Sequence, residues 1–143
     1  MDAGACAAEM DRHQAVVLDL LARKELLVRA PDGDGAALAG LRWELIRALM
    51  AYQMFKHREI FDPAAARGAP DQAALARRLK VDCIAMGQTH REYTQAWSLT
   101  EVADRWAAYQ AAALAMIDTS RAHLAAERRE TEAIKGVRAR RAA

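Results

Sequence analysis

The stretch His123-Leu124-Ala125-Ala126-Glu127 places a histidine and a glutamate four residues apart on the apolar side of a long helical segment. Residues at this spacing lie on the same face of a helix, about one turn from each other, so both side chains can point at one site. Imidazole and carboxylate groups are common metal ligands. The stretch therefore predicts a core helix that contributes part of a polar site, with a metal ion as its candidate occupant.

The composition around this stretch favours an all-α protein. The chain has 143 residues, of which 53% are hydrophobic and only 6% aromatic, and alanine, leucine, arginine and glutamate are abundant. These residues are good helix formers, whereas the residues typical of strands are few. The length fits one compact core. We predict a single domain over 1–143, with a short N-terminal lead over 1–8 and a basic tail over 135–143.

Three groups of turn-forming residues divide the chain into four helical segments. The first group covers 30–35; the second runs from Pro63, expected to end a helix, to Asp71, expected to cap the next; the third covers 98–101, where Ser98 and Glu101 have capping-box spacing. The predicted helices cover roughly 7–29, 35–62, 71–97 and 100–135. Short connections place successive helices antiparallel. The fold prediction is an antiparallel up-down-up-down four-helix bundle.

Polar residues recur on the predicted core-facing stripes of these helices. All four histidines fall on or beside such a stripe. In an antiparallel bundle the start of helix 1, the end of helix 2 and the second half of helix 4 meet at one pole. We therefore expect His13, Gln53, His57, His123 and Glu127 to line one cavity.

At these residues the chain resembles the hemerythrin-like, or HHE cation-binding, family. The resemblance covers roughly residues 9–132, and three motifs carry it: Met10 to His13, Tyr52 to Pro63, and His123 to Glu127. It implies a four-helix bundle that holds two bridged iron atoms. In that family the ligands are a histidine of helix 1, a His-x-x-x-Glu pair in each of helices 2 and 4, and one or more histidines of helix 3.

Two of the family's ligand positions differ in this chain. Gln53 and His57 stand where the helix 2 His-x-x-x-Glu pair belongs, and helix 3 has no histidine near 79–86, the level of the other ligands. His90 lies deeper in that helix, and we expect it to be structural. We therefore do not expect a complete di-iron site.

Two interpretations of the polar residues remain open. One Fe or Zn ion is held by His13, His57, His123 and Glu127, with Gln53 as a weak ligand or as a partner of the ligands. Alternatively, the same groups satisfy one another by hydrogen bonds and ion pairs and hold no metal.

Three functions follow from these interpretations. The first is a small non-catalytic binding or sensing module of hemerythrin-like type with a degenerate metal site. The alternative is an iron protein that binds dioxygen or another small diatomic ligand at an open coordination position. The second alternative is a structural or dimerising bundle, a possible homodimer in which Trp43 marks the partner surface.

Other classes of function lack their signatures. No glycine-rich phosphate loop and no Ser-His-Asp pattern is present, so we expect no enzyme. A net charge of +2 gives little attraction to nucleic acid, and the four cations between Lys135 and Arg141 are typical of a solvated tail. Cys6 and Cys83 are too few for a disulfide framework. Without a signal-peptide pattern or an apolar stretch long enough for a bilayer, we expect a cytoplasmic protein that does not contact membranes.

Overall fold

The computed structural model describes residues 1–134, except for the side chain of Ala3, and the basic tail predicted over 135–143 lies outside the described residues. The described chain is all-α, without a strand. Its elements follow one another in this order: α1 (Ala3–Arg29), α2 (Gly35–Lys56), a π-helical turn (His57–Phe61), α3 (Asp62–Arg67), α4 (Pro70–Ala96), α5 (Leu99–Asp104) and α6 (Trp106–Thr131).

Of two predicted helix caps, the structure confirms one and corrects the other. The Ser98 hydroxyl accepts a hydrogen bond from the Glu101 backbone N–H at 3.2 Å, as its capping-box position predicts. The predicted cap at Asp71 is wrong, because α4 begins at Pro70 after Ala69, without a side-chain cap. Proline suits this first position because its missing N–H would have no partner in the helix there. Asp71 lies in the first turn, where its carboxylate faces the positive end of the helix dipole.

Helix 2 extends further than predicted. The chain remains helical from Gly35 to Arg67, and Pro63 sits in the first turn of α3 instead of ending the helix. Before this proline the backbone widens into the π-helical turn, in which the Asp62 N–H donates to the His57 carbonyl five residues earlier. This wider turn places one extra residue in the helix just before the proline.

The first and last segments also differ from the prediction. Asp2 caps α1 by accepting from the Ala5 N–H at 2.7 Å, so most of the lead predicted over 1–8 is helical. The segment predicted as one helix over 100–135 is interrupted at Arg105, between α5 and α6. Its last described helical residue is Thr131.

One buried apolar cluster joins α1, α2, the π-helical turn, α4 and α6. It contains, among others, Met10, Leu41, Phe61, Leu79 and Leu124. A second cluster, which includes Val28, Leu38, Val102, Tyr109 and Ala113, joins α1 and α2 to α5 and α6. Burial of these side chains is the main force that holds the helices together. No helix within residues 1–134 is both long and apolar enough to cross a membrane.

The connection between α1 and α2 packs against the start of α6. The Trp106 indole N–H donates to the Pro31 carbonyl at 3.1 Å. A Cβ atom on Gly33 would lie 2.9 Å from the Trp106 ring, which is too close for any other residue without a shift of the loop. The glycine therefore allows this loop to close over the indole ring.

Candidate functional site

The polar centre of the molecule is an ion pair between Lys56 of α2 and Glu127 of α6. The Lys56 Nζ donates to both carboxylate oxygens of Glu127, at 3.0 Å to Oε1 and 2.9 Å to Oε2. The two residues are only 4% and 3% exposed. Each charge has left water, so each depends on the other for compensation. The pair is therefore a closed unit, and loss of either partner would leave a buried charge.

Tyr52 and Gln14 complete this unit. The Tyr52 hydroxyl donates to Glu127 Oε1 at 2.8 Å and accepts from the Gln14 side-chain amide at 2.9 Å. The same amide nitrogen donates to the Leu124 carbonyl at 3.0 Å. The Lys56 Nζ lies 4.0 Å from the centre of the Tyr52 ring, a cation–π contact. Burial and the neighbouring Glu127 carboxylate raise the pKa of Tyr52, so its hydroxyl keeps the proton that it donates.

The structure brings together one predicted pair of site residues. The His123 Nε2 lies 3.7 Å from Glu127 Oε2, beyond hydrogen-bonding distance. Burial lowers the pKa of His123, although the Glu127 carboxylate opposes this shift. The imidazole is thus biased towards its neutral form and is a neighbour of the ion pair, not its main partner.

His13 lies next to the network but does not join it. Its ring stacks on Tyr52 and Phe55, with centroid distances of 5.6 and 5.1 Å. Its Nε2 is 3.6 Å from a carboxylate oxygen of Glu9, one turn earlier on α1. Burial lowers the pKa of His13, which favours the neutral ring in this aromatic setting.

His57 lies away from the face of helix 2 that was predicted for it, whereas Gln53 lines, with His123, the cavity described below. The residues that face the core are Tyr52 and Lys56, whereas Gln53 and His57 are half-buried. The His57 ring packs against Phe61 at a centroid distance of 5.6 Å. Its Nε2 is buried without a hydrogen-bond partner among residues 1–134. Burial, with Lys80 nearby, lowers the pKa of His57.

The four predicted ligands are not grouped around one point in the described structure. Within residues 1–134, no three or more histidine, cysteine or acidic side chains are grouped so that they could hold one. Lys56 occupies both oxygens of Glu127, and Tyr52 donates to one of them. A metal ion at this carboxylate would have to replace the ammonium group, whose positive charge already compensates it. The single-ion site at His13, His57, His123 and Glu127, which was inferred from the chemistry of these residues, therefore stays a prediction.

A cavity of about 110 Å³ lies beside the ion pair, between α1, α2, α4 and α6. Most of its wall is apolar, formed by leucine, isoleucine, valine and methionine side chains. Tyr52, Lys56 and His123 line one part of it, so the cavity and the polar network share residues. The Ser120 hydroxyl also faces it, buried and without a hydrogen-bond partner among residues 1–134. An apolar pocket with a few convergent polar groups is typical of a small-molecule site.

Lys24 lines another part of the same cavity. Its Nζ donates to the Tyr93 hydroxyl at 3.2 Å and lies 4.7 Å from the centre of that ring. Burial, together with the positive charge of Arg42, lowers the pKa of Lys24 to about 8. Arg42 donates to the Trp97 carbonyl at 2.6 Å. In the described part of the chain neither cation forms an ion pair with a carboxylate.

His90 lies beside these two cations in the cavity wall. It lines the cavity from α4. Burial, Lys24 and His123 lower the pKa of His90 to about 4, so the imidazole is neutral at pH 7. A neutral imidazole carries both a donor and an acceptor nitrogen. His90, which we expected to be structural, is therefore a polar group in the cavity wall.

The sequence interpretation missed the residues that form both polar groups. Counting forward from Leu38, Leu41 and Leu45 at the helical repeat leads to positions 52 and 56, so the signal for a buried Tyr52 and Lys56 was present. Residue type points away from this register, because lysine is rarely buried without a partner. On α1 the helical repeat through Met10, Val17 and Leu21 likewise leads to Gln14 and Lys24, so the same kind of signal was present there.

Comparison with protein-family models, with curated proteins and with solved structures gave no match for this chain. The resemblance to hemerythrin-like proteins therefore rests on its motif residues alone.

Proposed function

We propose that this protein is a small-molecule binding or sensing module, built as a hemerythrin-like four-helix bundle in which the Lys56–Glu127 ion pair replaces the metal centre. The observation that carries the proposal is the buried ion pair beside an apolar cavity. The ammonium group compensates the Glu127 carboxylate, as a metal ion would, so the core needs no metal to be neutral. The function proposed is non-catalytic.

The packing supports the bundle. Helices α1, α2, α4 and α6 share one buried cluster, and α1 contacts both α2 and α6. The connection from α1 to α2 and the one from α3 to α4 are both short, which favours antiparallel neighbours. In such a bundle, ligand sites form in the core between facing helices. The cavity occupies this kind of position.

Gly87 offers a way to test whether the cavity binds ligands. It lines the cavity from α4, and a Cβ atom there would meet only the ends of flexible side chains, Arg91 at 3.5 Å and Gln53 at 3.6 Å. Gly87→Leu should therefore reduce the cavity without disturbing the backbone, and it removes a glycine that weakens the helix. Gly40 lies in α2, and a Cβ atom there has no neighbour within 4 Å, so Gly40→Leu is the matched control.

The binding test is a titration of the full chain with a panel of small fragments of similar size, neutral, anionic and cationic, followed by two-dimensional NMR. We expect at least one fragment to shift the resonances of cavity residues such as Met116 and Ile117. Gly87→Leu should abolish these shifts, and Gly40→Leu should preserve them. A panel without any cavity binder would overturn the proposed function.

Metal content tests the replacement of the metal centre. We expect far less than one equivalent of iron or zinc by elemental analysis after expression in medium that contains both. One equivalent of iron that His123→Ala removes, with a charge-transfer absorption band after exposure to air, would favour the iron protein instead. The control is Gln88→Ala, an exposed position on α4.

One observation favours the dimerising bundle as a second candidate. Trp43, Met50 and Met54 are 62%, 58% and 62% exposed, and their spacing of seven and four residues places them on one side of α2. Exposed aromatic and methionine side chains are enriched at protein interfaces. The test is sedimentation over a range of concentrations: a dimer that Trp43→Ala dissociates, and that Val81→Ala on α4 does not, would support this candidate. A monomer at all concentrations would exclude it.

A further inference from the structure

The polar part of the cavity wall carries several positive groups and, within the described residues, no acidic one. Lys24, Arg42 and Lys56 reach it, with His90 and His123, and no aspartate or glutamate of residues 1–134 contributes to its wall. Among the described residues, Lys56 has a carboxylate partner, Glu127, and the other two cations have none. A desolvated cation is costly unless an anion compensates it. The cavity therefore has an excess of positive charge at Lys24 and Arg42.

We propose that the cavity binds a small organic anion, a monocarboxylate with a compact apolar body, whose carboxylate lies between Lys24 and Arg42. This inference rests on the proposed binding function and specifies the ligand class. The ammonium of Lys24 and the guanidinium of Arg42 provide charge-assisted hydrogen bonds to carboxylate oxygens. The apolar wall accommodates the body of the ligand.

The other end of the cavity does not attract a carboxylate. At Lys56 the positive charge is already compensated by both oxygens of Glu127, and a second anion would be repelled by that carboxylate. At Lys24 the only hydrogen-bond acceptor in the described chain is the neutral Tyr93 hydroxyl. The difference in compensation orients the ligand, with its charged group towards Lys24.

The volume limits the size of the ligand. The cavity holds about 110 Å³, somewhat less than an engineered cavity of about 150 Å³ that binds benzene. The apolar body is therefore about the size of a six-carbon ring or smaller. The unpartnered Ser120 hydroxyl and the His90 imidazole are the neutral polar groups that such a ligand would meet beside its carboxylate. Benzoate is a suitable probe, and benzamide is its neutral counterpart of the same shape.

The charged groups around Lys24 also predict proton uptake on binding. Arg42 faces Lys24 from α2, and His90 and Tyr93 face it from α4, where Tyr93 in turn contacts Tyr109 of α6. None of these groups is a carboxylate. A bound carboxylate would supply the missing negative charge and raise the pKa of Lys24 from about 8. Binding at pH 8.5 should therefore take up protons that binding at pH 7 does not.

The experiment is isothermal titration calorimetry of the full chain with benzoate and with benzamide at pH 7. We expect Lys24→Met to weaken benzoate binding by about tenfold to a hundredfold, the range that corresponds to loss of a charged hydrogen bond. It should leave benzamide binding unchanged, because the methionine keeps the apolar part of the side chain. Arg47→Met, an exposed position on α2 outside the cavity wall, is the charge-matched control and should change neither.

Proton uptake is the second measurement. Benzoate titrations at pH 8.5 in two buffers of different ionisation enthalpy should differ in observed heat, and Lys24→Met should remove the difference. Benzamide that binds as tightly as benzoate, or benzoate binding that Lys24→Met leaves intact, would overturn the anion proposal and leave the binding module in place. If neither probe nor any other fragment of the panel binds, both proposals fail. Thermal unfolding of each variant verifies that it is folded.

Discussion

Two lysines line the same cavity, and their surroundings differ in one respect. Lys56 donates to both oxygens of the Glu127 carboxylate, and Tyr52 completes this network. Lys24 instead donates to the neutral Tyr93 hydroxyl and lies near the positive charge of Arg42. Gln14, which belongs to the Lys56 network, and Lys24 are ten residues apart on α1, or about 15 Å along the helix. The charge of Lys56 is compensated within the described chain, and the charge of Lys24 is not. The difference separates a lysine that maintains the fold from one that is available to a ligand.

The largest expected effect comes from removing the charge of each lysine in turn. Lys56→Met should destabilise the protein by about 3–5 kcal/mol, because it leaves Glu127 buried without its counter-ion. Lys24→Met should cost far less or stabilise, because the position has no carboxylate partner in the described chain and methionine fills the space of the alkyl stem. Urea unfolding of both variants measures the difference. Similar losses would contradict the comparison.

A smaller effect should follow from removing both members of the ion pair. Lys56→Met combined with Glu127→Leu should recover most of the loss caused by Lys56→Met, because an apolar pair of similar volume often replaces a buried ion pair without cost. The matched control is Glu44→Gln, which removes an acid that pairs with Arg23 at the surface and should cost less than about 1 kcal/mol. A double variant less stable than the single variant would indicate that the pair contributes more than mutual compensation.

The two tyrosines extend the comparison to neutral groups. Tyr52→Phe should cost about 1–3 kcal/mol, because Glu127 loses a donor and the Gln14 amide loses an acceptor in a buried network. Tyr93→Phe removes the acceptor of a half-buried lysine and should cost less. Urea unfolding of the two variants measures both losses. Equal losses, or a larger loss for Tyr93→Phe, would mean that the hydrogen bond at Lys24 contributes as much to stability as the network at Lys56.

The last expected effect is a dependence of stability on pH above neutrality. The pKa of Lys24 is lowered to about 8, against about 10.4 in an unfolded chain, so between these values the unfolded state binds more protons at this site. The contribution of Lys24 to stability is therefore low below pH 8 and rises between pH 8 and about pH 10. Unfolding measured at intervals across this window should show a rise in the wild type relative to Lys24→Met. Parallel curves would contradict the lowered pKa.

The sequence predicted the helical class well because helix signals are local. The turn residues, the Ser98 cap and the apolar repeats all act within a few residues, and they placed most helix boundaries closely. Pro63 misled the prediction, since a π-helical turn allowed the helix to continue past it. A backbone bulge of this kind leaves no simple trace in hydrophobic periodicity.

The site was harder to predict because it depends on contacts between distant residues. His123 and Glu127 were identified as polar residues of the core, and Glu127 is indeed central. Its partner could not be read from residue type, because lysine at a helix end is usually solvated and only the fold places Lys56 opposite Glu127. The excess of positive charge at Lys24 and Arg42 likewise depends on which residues of other helices are absent from their surroundings.

The π-helical turn also fixes how the helical residues after it are rotated about the helix axis relative to those before it. A helix advances about 100° per residue, so the one additional residue at His57–Phe61 rotates everything after it relative to everything before it. Deleting a single residue there would turn either Lys56 or Phe61 away from the interior, since both are buried now. The one additional residue in the π-helical turn thus determines both the pairing of Lys56 with Glu127 and the packing of α3 against α4. The length of this segment is therefore constrained as tightly as its composition.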